Sequence, residues 1–292
     1  MSRNFSRVMA VLLAAWLLPD QSLAAAADPV CELSAAADPE LQAELEAVVR
    51  AQGLAEHARD GDLALTLLVL TDPERPRLAQ VNGHAMLYAA SLPKIAILLG
   101  AAVAVDEGRI KLERPFQEDV HEMIRNSCNE CANRVLDRVG KEYVLDILQS
   151  PRFGFYDDEG AGGLWLGKQY GPDPAYEREP LKGLSHAATT FQATRFYCAL
   201  ERGTLVSPMA TRLMLDALAD PGIEHKFVKG LQQYEGIELF RKSGTWRAWH
   251  ADSALVHAGD AVYVMVGLAH DPDGGAWLER LAAPLHELAV AP

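Results

Sequence analysis

The chain has 292 residues, 40 acidic against 27 basic side chains, and a formal net charge of −13. That length supports a substantial hydrophobic core, while the acidic excess argues against nucleic acid or an anionic membrane surface as partner. The 9 histidines show no His-Glu-x-x-His or other metal-ligand spacing, so no metal and no other cofactor is expected.

The N-terminus carries Arg3 and Arg7, an apolar run from Val8 to Leu18, and small residues from Ser22 to Ala26. A positive start, a short apolar stretch and an A-x-A-like site describe a secretory signal, residues 1–26. The run is about half of the ~20 residues that span a bilayer, so no stable membrane anchor is expected. Removal of the signal leaves one domain over residues 27–292, about 265 residues, in a periplasmic or secreted location. Cys31 follows Asp28-Pro29-Val30 rather than small residues, which argues against lipid attachment there. Four cysteines in an exported chain allow three complete pairings, and the sequence leaves the choice open. Cys128 and Cys131 have a redox-type spacing without a thioredoxin-like βαβ setting, so the preferred reading is a structural disulfide or buried thiols.

Leu41, Leu45, Val48, Val49 and Leu54 predict helix within residues 39–59, and Leu63 to Leu70 predicts a strand. After the turn cluster Asp72 to Pro76, residues Leu78 to Val81 pair back before Asn82-Gly83, which makes an antiparallel meander. From Ser91 onward Ile95, Leu98, Leu99, Ala102 and Val103 follow the helical period, with apolar residues on the other face too. This predicts a buried central helix that starts at Ser91, has Pro93 in its first turn and ends near Gly108. Further helices are expected over residues 117–126, 129–138, 143–149, 189–202 and 208–218. Residues 151–186 are rich in Gly, Pro and Asp, show no period and exceed an ordinary connection, so they are expected to flank a functional site. Strands return at 237–246, 252–257 and 261–269, with Ala258-Gly259-Asp260 as a hairpin turn, before a last helix over 276–288. The expected fold is α/β (α+β). An antiparallel sheet is flanked by helices from the N- and C-terminal segments, 27–86 and 228–292, around an inserted helical half, 87–227.

Three short motifs lie far apart in this chain: Ser91-Leu92-Pro93-Lys94, Ser127-Cys128-Asn129 and Lys242-Ser243-Gly244-Thr245. A lone Ser-x-x-Lys arises by chance about once in a chain of this length, and Lys-Ser-Gly about 0.1 times, so the ordered combination is the informative feature. The combination resembles the active-site serine hydrolases that include class A β-lactamases and penicillin-binding D,D-peptidases, whose motifs are Ser-x-x-Lys, Ser-Asp-Asn and Lys-Thr/Ser-Gly. Leu87-Tyr88-Ala89-Ala90-Ser91 is similar to that family's approach to its nucleophile, and Met123 to Asn133 resembles its second segment.

A serine hydroxyl needs a base to take its proton. Lys94 follows Ser91 by one helical turn and projects along the same face. An ordinary lysine is neutral in only about four molecules per ten thousand at pH 7. Burial and the like charge of Lys242 both shift it toward neutrality, which is why two lysines belong together. The resemblance implies that Ser91 is the nucleophile, that Lys94 and Lys242 support it, and that Ser127 relays a proton to the leaving nitrogen. It also implies that Asn129 holds the substrate amide and that Asn133 braces the neighbouring loop. Ser127 and Asn129 are equally read as helix caps. Gly244 permits close approach of another backbone, and the resemblance implies that the Ser91 and Thr245 N–H groups form an oxyanion hole, worth about 3 to 4 kcal/mol for one donor. Lys242, Ser243 and Thr245 meet a substrate carboxylate, with Arg247 as a second positive contact or a solvated turn residue. Trp246, Trp249 and His250 line the cleft or cover the sheet edge.

The chain departs from the family in two places. Class A enzymes activate water with the Glu of a Glu-x-x-Leu-Asn motif, yet no asparagine follows Asn133 here. Glu179, followed by Pro180, is the nearest candidate deacylation base, with Glu177, Asp157 and Asp158 behind it and solvated loop carboxylates as the plain alternative. Cys128 replaces the motif's aspartate and lacks a carboxylate's hydrogen bonds. The leading expectation is an exported serine hydrolase acylated at Ser91 by a small-molecule β-lactam or a peptidoglycan-type D-alanyl peptide. The competing readings are a D,D-peptidase or esterase on another acyl compound, and a non-catalytic penicillin-binding or sensor domain.

Overall fold

The computed structural model describes residues 31–291; the signal assigned to residues 1–26 lies outside them. Helices α1 (Pro39–Ala51) and α2 (Ala55–Asp60) precede strands β1 (Leu63–Val69), β2 (Arg77–Val81) and β3 (Leu87–Tyr88). Helices α3 (Lys94–Asp106), α4 (Arg114–Arg125), α5 (Asn129–Val139) and α6 (Lys141–Gln149) follow. Short strands β4 (Tyr156–Asp157), β5 (Gly162–Gly163), β6 (Trp165–Leu166) and β7 (His186–Ala188) punctuate the next stretch, before α7 (Thr190–Glu201), α8 (Pro208–Leu218) and α9 (Phe227–Leu231). The chain closes with β8 (Ile237–Trp246), β9 (Trp249–Ala258), β10 (Ala261–His270) and α10 (Gly274–Val290).

The main sheet has five strands in the order β2-β1-β10-β9-β8, and all its pairs are antiparallel. Both chain ends therefore build one sheet, because β1 pairs with β10 across the sequence between Leu63 and Ala269. One face of that sheet packs on α1 and α10 through Leu41, Leu45, Leu67, Met265, Leu278 and Leu281. A larger core, centred on α3, joins the other face to the helical half. Every α3 residue from Lys94 to Val105 is buried, as expected for a helix that is apolar all round.

The structure changes several local expectations. The helix predicted within 39–59 is split, because Gly53 turns the chain with φ of 71°, a conformation that costs glycine little. Regular helix begins at Lys94 rather than Ser91: Ala90 has φ of 50°, and the amides of Leu92, Lys94 and Ile95 bond three residues back. This tighter turn sets Ser91 in front of the helix rather than within it. Helix α9 was not expected. Residues 151–186 are irregular but tied down, since β3, β7 and β6 form a small antiparallel sheet beneath the nucleophile segment. The cysteines pair as Cys31–Cys198 and Cys128–Cys131, so the latter spacing is a disulfide that spans the start of α5. Among the described residues no helix is long and apolar enough to cross a membrane.

Candidate active site

Three elements converge at one end of the main sheet. The turn before α3 supplies Ser91, the α4–α5 junction supplies Ser127 and Asn129, and β8 supplies Lys242 to Thr245. Gly244 shows how tightly β8 approaches: a Cβ placed there would lie 2.5 Å from the Ala89 carbonyl oxygen and 2.7 Å from the Ser91 nitrogen. No residue with a side chain fits without moving backbone, so glycine at this position lets the amides of Ser91 and Thr245 share one end of the cleft. Ser91 and Thr245 both line an opening of about 150 Å³, together with Tyr88, Asn129, Tyr170 and Trp246.

Ser127 is the junction of the site. Its φ is 56°, a left-handed conformation that costs a non-glycine residue on the order of 1–3 kcal/mol. Lys94 Nζ donates to Ser127 O at 2.6 Å, to Ser127 Oγ at 3.2 Å and to Asn129 Oδ1 at 2.8 Å. Lys242 Nζ reaches the same Ser127 Oγ from the sheet side at 3.1 Å and donates to its neighbour's carbonyl, Ser243 O, at 2.7 Å. Next to Ser127, the Cys128–Cys131 disulfide closes the first turn of α5, and Cys128 Sγ accepts the Cys131 N–H at 3.0 Å. A covalent turn thus stands where an aspartate's hydrogen bonds were expected.

Both lysines are buried, Lys94 at 0% and Lys242 at 1% exposure. Burial pushes the Lys94 ammonium down to about 7, with Glu130 opposing the shift. Lys242 is driven well below its ordinary range by burial and then by the positive charge of Lys94. A third lysine, Lys226, was not foreseen from the sequence. Its Nζ donates to Gly244 O at 2.6 Å, Thr245 Oγ1 at 2.9 Å and Ala251 O at 3.0 Å, and burial lowers it to about 8. Behind the strand, Arg241 is paired with Asp252 through contacts of 2.6 and 2.8 Å. With Lys94 and Lys242 driven toward the neutral form and Arg241 paired, Lys226 is the amine beside Thr245 that keeps its charge at neutral pH, and it suits that end of the cleft to an anionic ligand.

Some expected residues lie elsewhere. Ser243 is 4% exposed and its hydroxyl meets His225 Nε2 at 3.3 Å, so Thr245 rather than Ser243 faces the cleft. Arg247 is exposed in the β8–β9 turn, with φ of 53° and its guanidinium over the Trp246 ring. It does not line the cleft; Lys226 is the additional cation beside Thr245. Trp249 stacks on His270 at the sheet end, 3.8 Å between ring centroids, and His250 packs against the glycines that open α10. Trp246 alone of these three lines the opening.

Glu179 is not placed as a base. Its carboxylate is buried, with Oε1 accepting from the Tyr156 hydroxyl at 2.7 Å and Leu181 N at 2.6 Å, and Oε2 from Lys182 N at 2.7 Å. Those bonds cap a tight turn and hold the carboxylate inside its own loop, and Glu179 does not line the cleft. Glu177, Asp157 and Asp158 are exposed and none of them lines the cleft. Tyr170 instead comes to the nucleophile. Asn133 clamps its backbone on both sides, accepting from Tyr170 N at 2.9 Å and donating to Tyr170 O at 3.0 Å. The bracing role expected of Asn133 lands on this residue. The sequence held no signal for Tyr170, because its place depends on how residues 151–186 fold back.

A family model described as the beta-lactamase enzyme family matches residues 115–288 of the chain. The chain belongs to this family. It is a β-lactamase-like serine hydrolase. No curated protein matches it in sequence. In fold it is similar to the beta-lactamase from Sphaerobacter thermophilus, with a TM-score of 0.67, 20% identity, and 85% of this chain and 96% of that one covered. A last-common-ancestor class A β-lactamase of Gram-negative bacteria superposes with a TM-score of 0.67 at 18% identity, over 84% of this chain and 98% of that one. A point mutant of PBP-A, solved as an acyl-enzyme complex with penicillin G, gives 0.65 at 19% identity, over 89% of this chain and 97% of that one. At these identities the likeness carries the fold.

Proposed function

We propose that this protein is an exported hydrolase whose Ser91 is acylated by a β-lactam or a D-alanyl-peptide-like substrate. The observation that carries the reading is Ser127 Oγ standing between two buried lysines, 3.2 Å from Lys94 and 3.1 Å from Lys242, beside a cleft that Ser91 lines. Neutral Lys94 takes the Ser91 proton as Oγ attacks the carbonyl carbon. The oxyanion is held by the Ser91 and Thr245 amides. The proton then passes through Ser127 to the leaving nitrogen as the C–N bond breaks, and an ester on Ser91 remains. Asn129 engages the substrate amide, and Thr245, with the Lys226 ammonium behind it, attracts the substrate carboxylate. Export is supported by the charge and apolar pattern of residues 1–26 and by two disulfides, which suit an oxidising compartment.

Among the described residues, those lining the cleft include no aspartate or glutamate. This favours a second reading of the same chemistry, in which the protein retains penicillin as a covalent adduct instead of turning it over. Incubation with a reporter penicillin, followed by intact-protein mass spectrometry, tests both. One acyl group per chain is expected on the wild type and none on Ser91→Ala. Lys94→Ala is expected to acylate about 10² to 10⁴ times more slowly, the usual contribution of a positioned base. Wild-type labelling of either variant would overturn the assignment.

A further inference from the structure

Tyr170 occupies an unusual place for an aromatic residue. The Lys94 ammonium lies 4.4 Å from its ring centroid, the buried His186 ring packs on it at 4.6 Å, and its hydroxyl is directed at the Ala90 carbonyl, 3.5 Å away. The ring is thus enclosed by the residue before the nucleophile, by the nucleophile's own lysine and by the floor of the loop. The pair of hydrogen bonds with Asn133 fixes the backbone beneath it. Such a contact between an ammonium and an aromatic face is favourable when desolvated. The ring therefore packs on an amine that also donates to Ser127 and Asn129.

Hydrolysis of an ester on Ser91 requires a water oxygen to bond the acyl carbon as the C–Oγ bond breaks. One water proton must pass to a base and return to Ser91 Oγ. The incoming water needs polar partners to hold it and a base within reach. Beside Lys94 it would meet a ring face, and among the described residues no carboxylate lines the cleft. His186 also lines the cleft as a neutral imidazole, but its ring is buried against the Tyr170 face, with Nδ1 engaged by the Ser185 hydroxyl at 3.0 Å and Nε2 enclosed without a hydrogen-bond partner among the described residues, so the Tyr170 ring also limits the access of water to this acceptor.

We propose that Tyr170 is a positioning residue that keeps hydrolytic water from the Ser91 ester, so that acylation runs to completion and the adduct persists. The inference rests on the acylation of Ser91 proposed above, and concerns the step after it. It makes the ring, and not the phenolic hydroxyl, the operative part.

The test is a time course of intact-protein mass spectra after acylation by benzylpenicillin and removal of the excess, with the acylation rate measured separately. Wild type and Tyr170→Phe are expected to keep the adduct equally long. Tyr170→Ala, which opens the cleft to water, is expected to lose it about 10-fold faster or more, with acylation changed far less. Asn133→Ala, which releases the ring from its tether, is expected to shorten the adduct lifetime in the same sense, and it decides the matter should Tyr170→Ala fail to fold. An adduct as long-lived in both variants as in wild type would overturn the proposal, as would Tyr170→Phe behaving like Tyr170→Ala. Rapid multiple turnover by the wild type would overturn it while leaving acylation at Ser91 intact; no adduct on the wild type at all would remove both.

Discussion

Lys94 carries an amine in a place that resists its charge, and its burial sets the pH dependence of the chemistry. With the ammonium pushed down to about 7, the neutral fraction rises through that value, so acylation is expected to climb between about pH 6 and pH 8 and then level. Stopped-flow rates with a chromogenic penicillin measure this directly. Glu130 holds the Lys94 ammonium up, so Glu130→Gln is expected to move the rising limb toward lower pH; movement the other way would contradict the charge argument. The stability sign follows from the same depression. Between about pH 7 and the unfolded value near 10.4 the unfolded chain binds more protons, so this group's contribution to stability rises with pH across that window. Lys242, depressed for the same reason, acts in the same direction.

At the scale of elements, the site depends on how close β8 comes to the turn before α3 and on how α5 begins. Gly244→Ala would put a Cβ 2.5 Å from Ala89 O, and the strand must retreat. Displacing the oxyanion donors by a fraction of an ångström to an ångström is expected to cost about 10²-fold in acylation, against a stability loss of about 1–3 kcal/mol, so rate and melting temperature should separate. The start of α5 is held by the Cys128–Cys131 disulfide beside the left-handed Ser127. Replacing the pair, Cys128→Ser with Cys131→Ser, lets Ser127 relax. The strain of about 1–3 kcal/mol then has to be restored at each acylation, which predicts a rate lower by about 10- to 100-fold. A phosphine-reduced wild type should match the double variant, and full activity in both would dismiss the disulfide as a support of the site.

For the molecule as a whole, one covalent link crosses its span: Cys31–Cys198 joins residues 167 apart and fastens the segment before α1 to α7. Loops of this length lose much conformational freedom when closed, so Cys31→Ser with Cys198→Ala is expected to lower stability by about 2–5 kcal/mol. Denaturant titration would show it. The acylation rate at 25 °C should be retained, because neither cysteine touches the cleft.

Much of this arrangement is legible in the amino-acid sequence. Short apolar runs bounded by turn residues mark β1, β8 and β10, and helical spacing marks α3 and α8, each within a few residues, because buried elements must present apolar side chains to a core. Ser91, Lys94, Ser127, Asn129 and Lys242 were marked by motif, since their chemistry needs fixed local spacing. What tertiary structure alone decided depends on contacts between distant segments. Residues 151–186 have no period, so nothing local revealed that Glu179 would cap its own turn or that Tyr170 would settle on Lys94. Lys226 likewise acquires its role only where β8 and β9 bring Gly244 and Ala251 to its ammonium. Periodicity and spacing are properties of neighbours along a chain; burial, charge proximity and access of water are properties of neighbours in space, and these govern whether an ester on Ser91 stays or leaves.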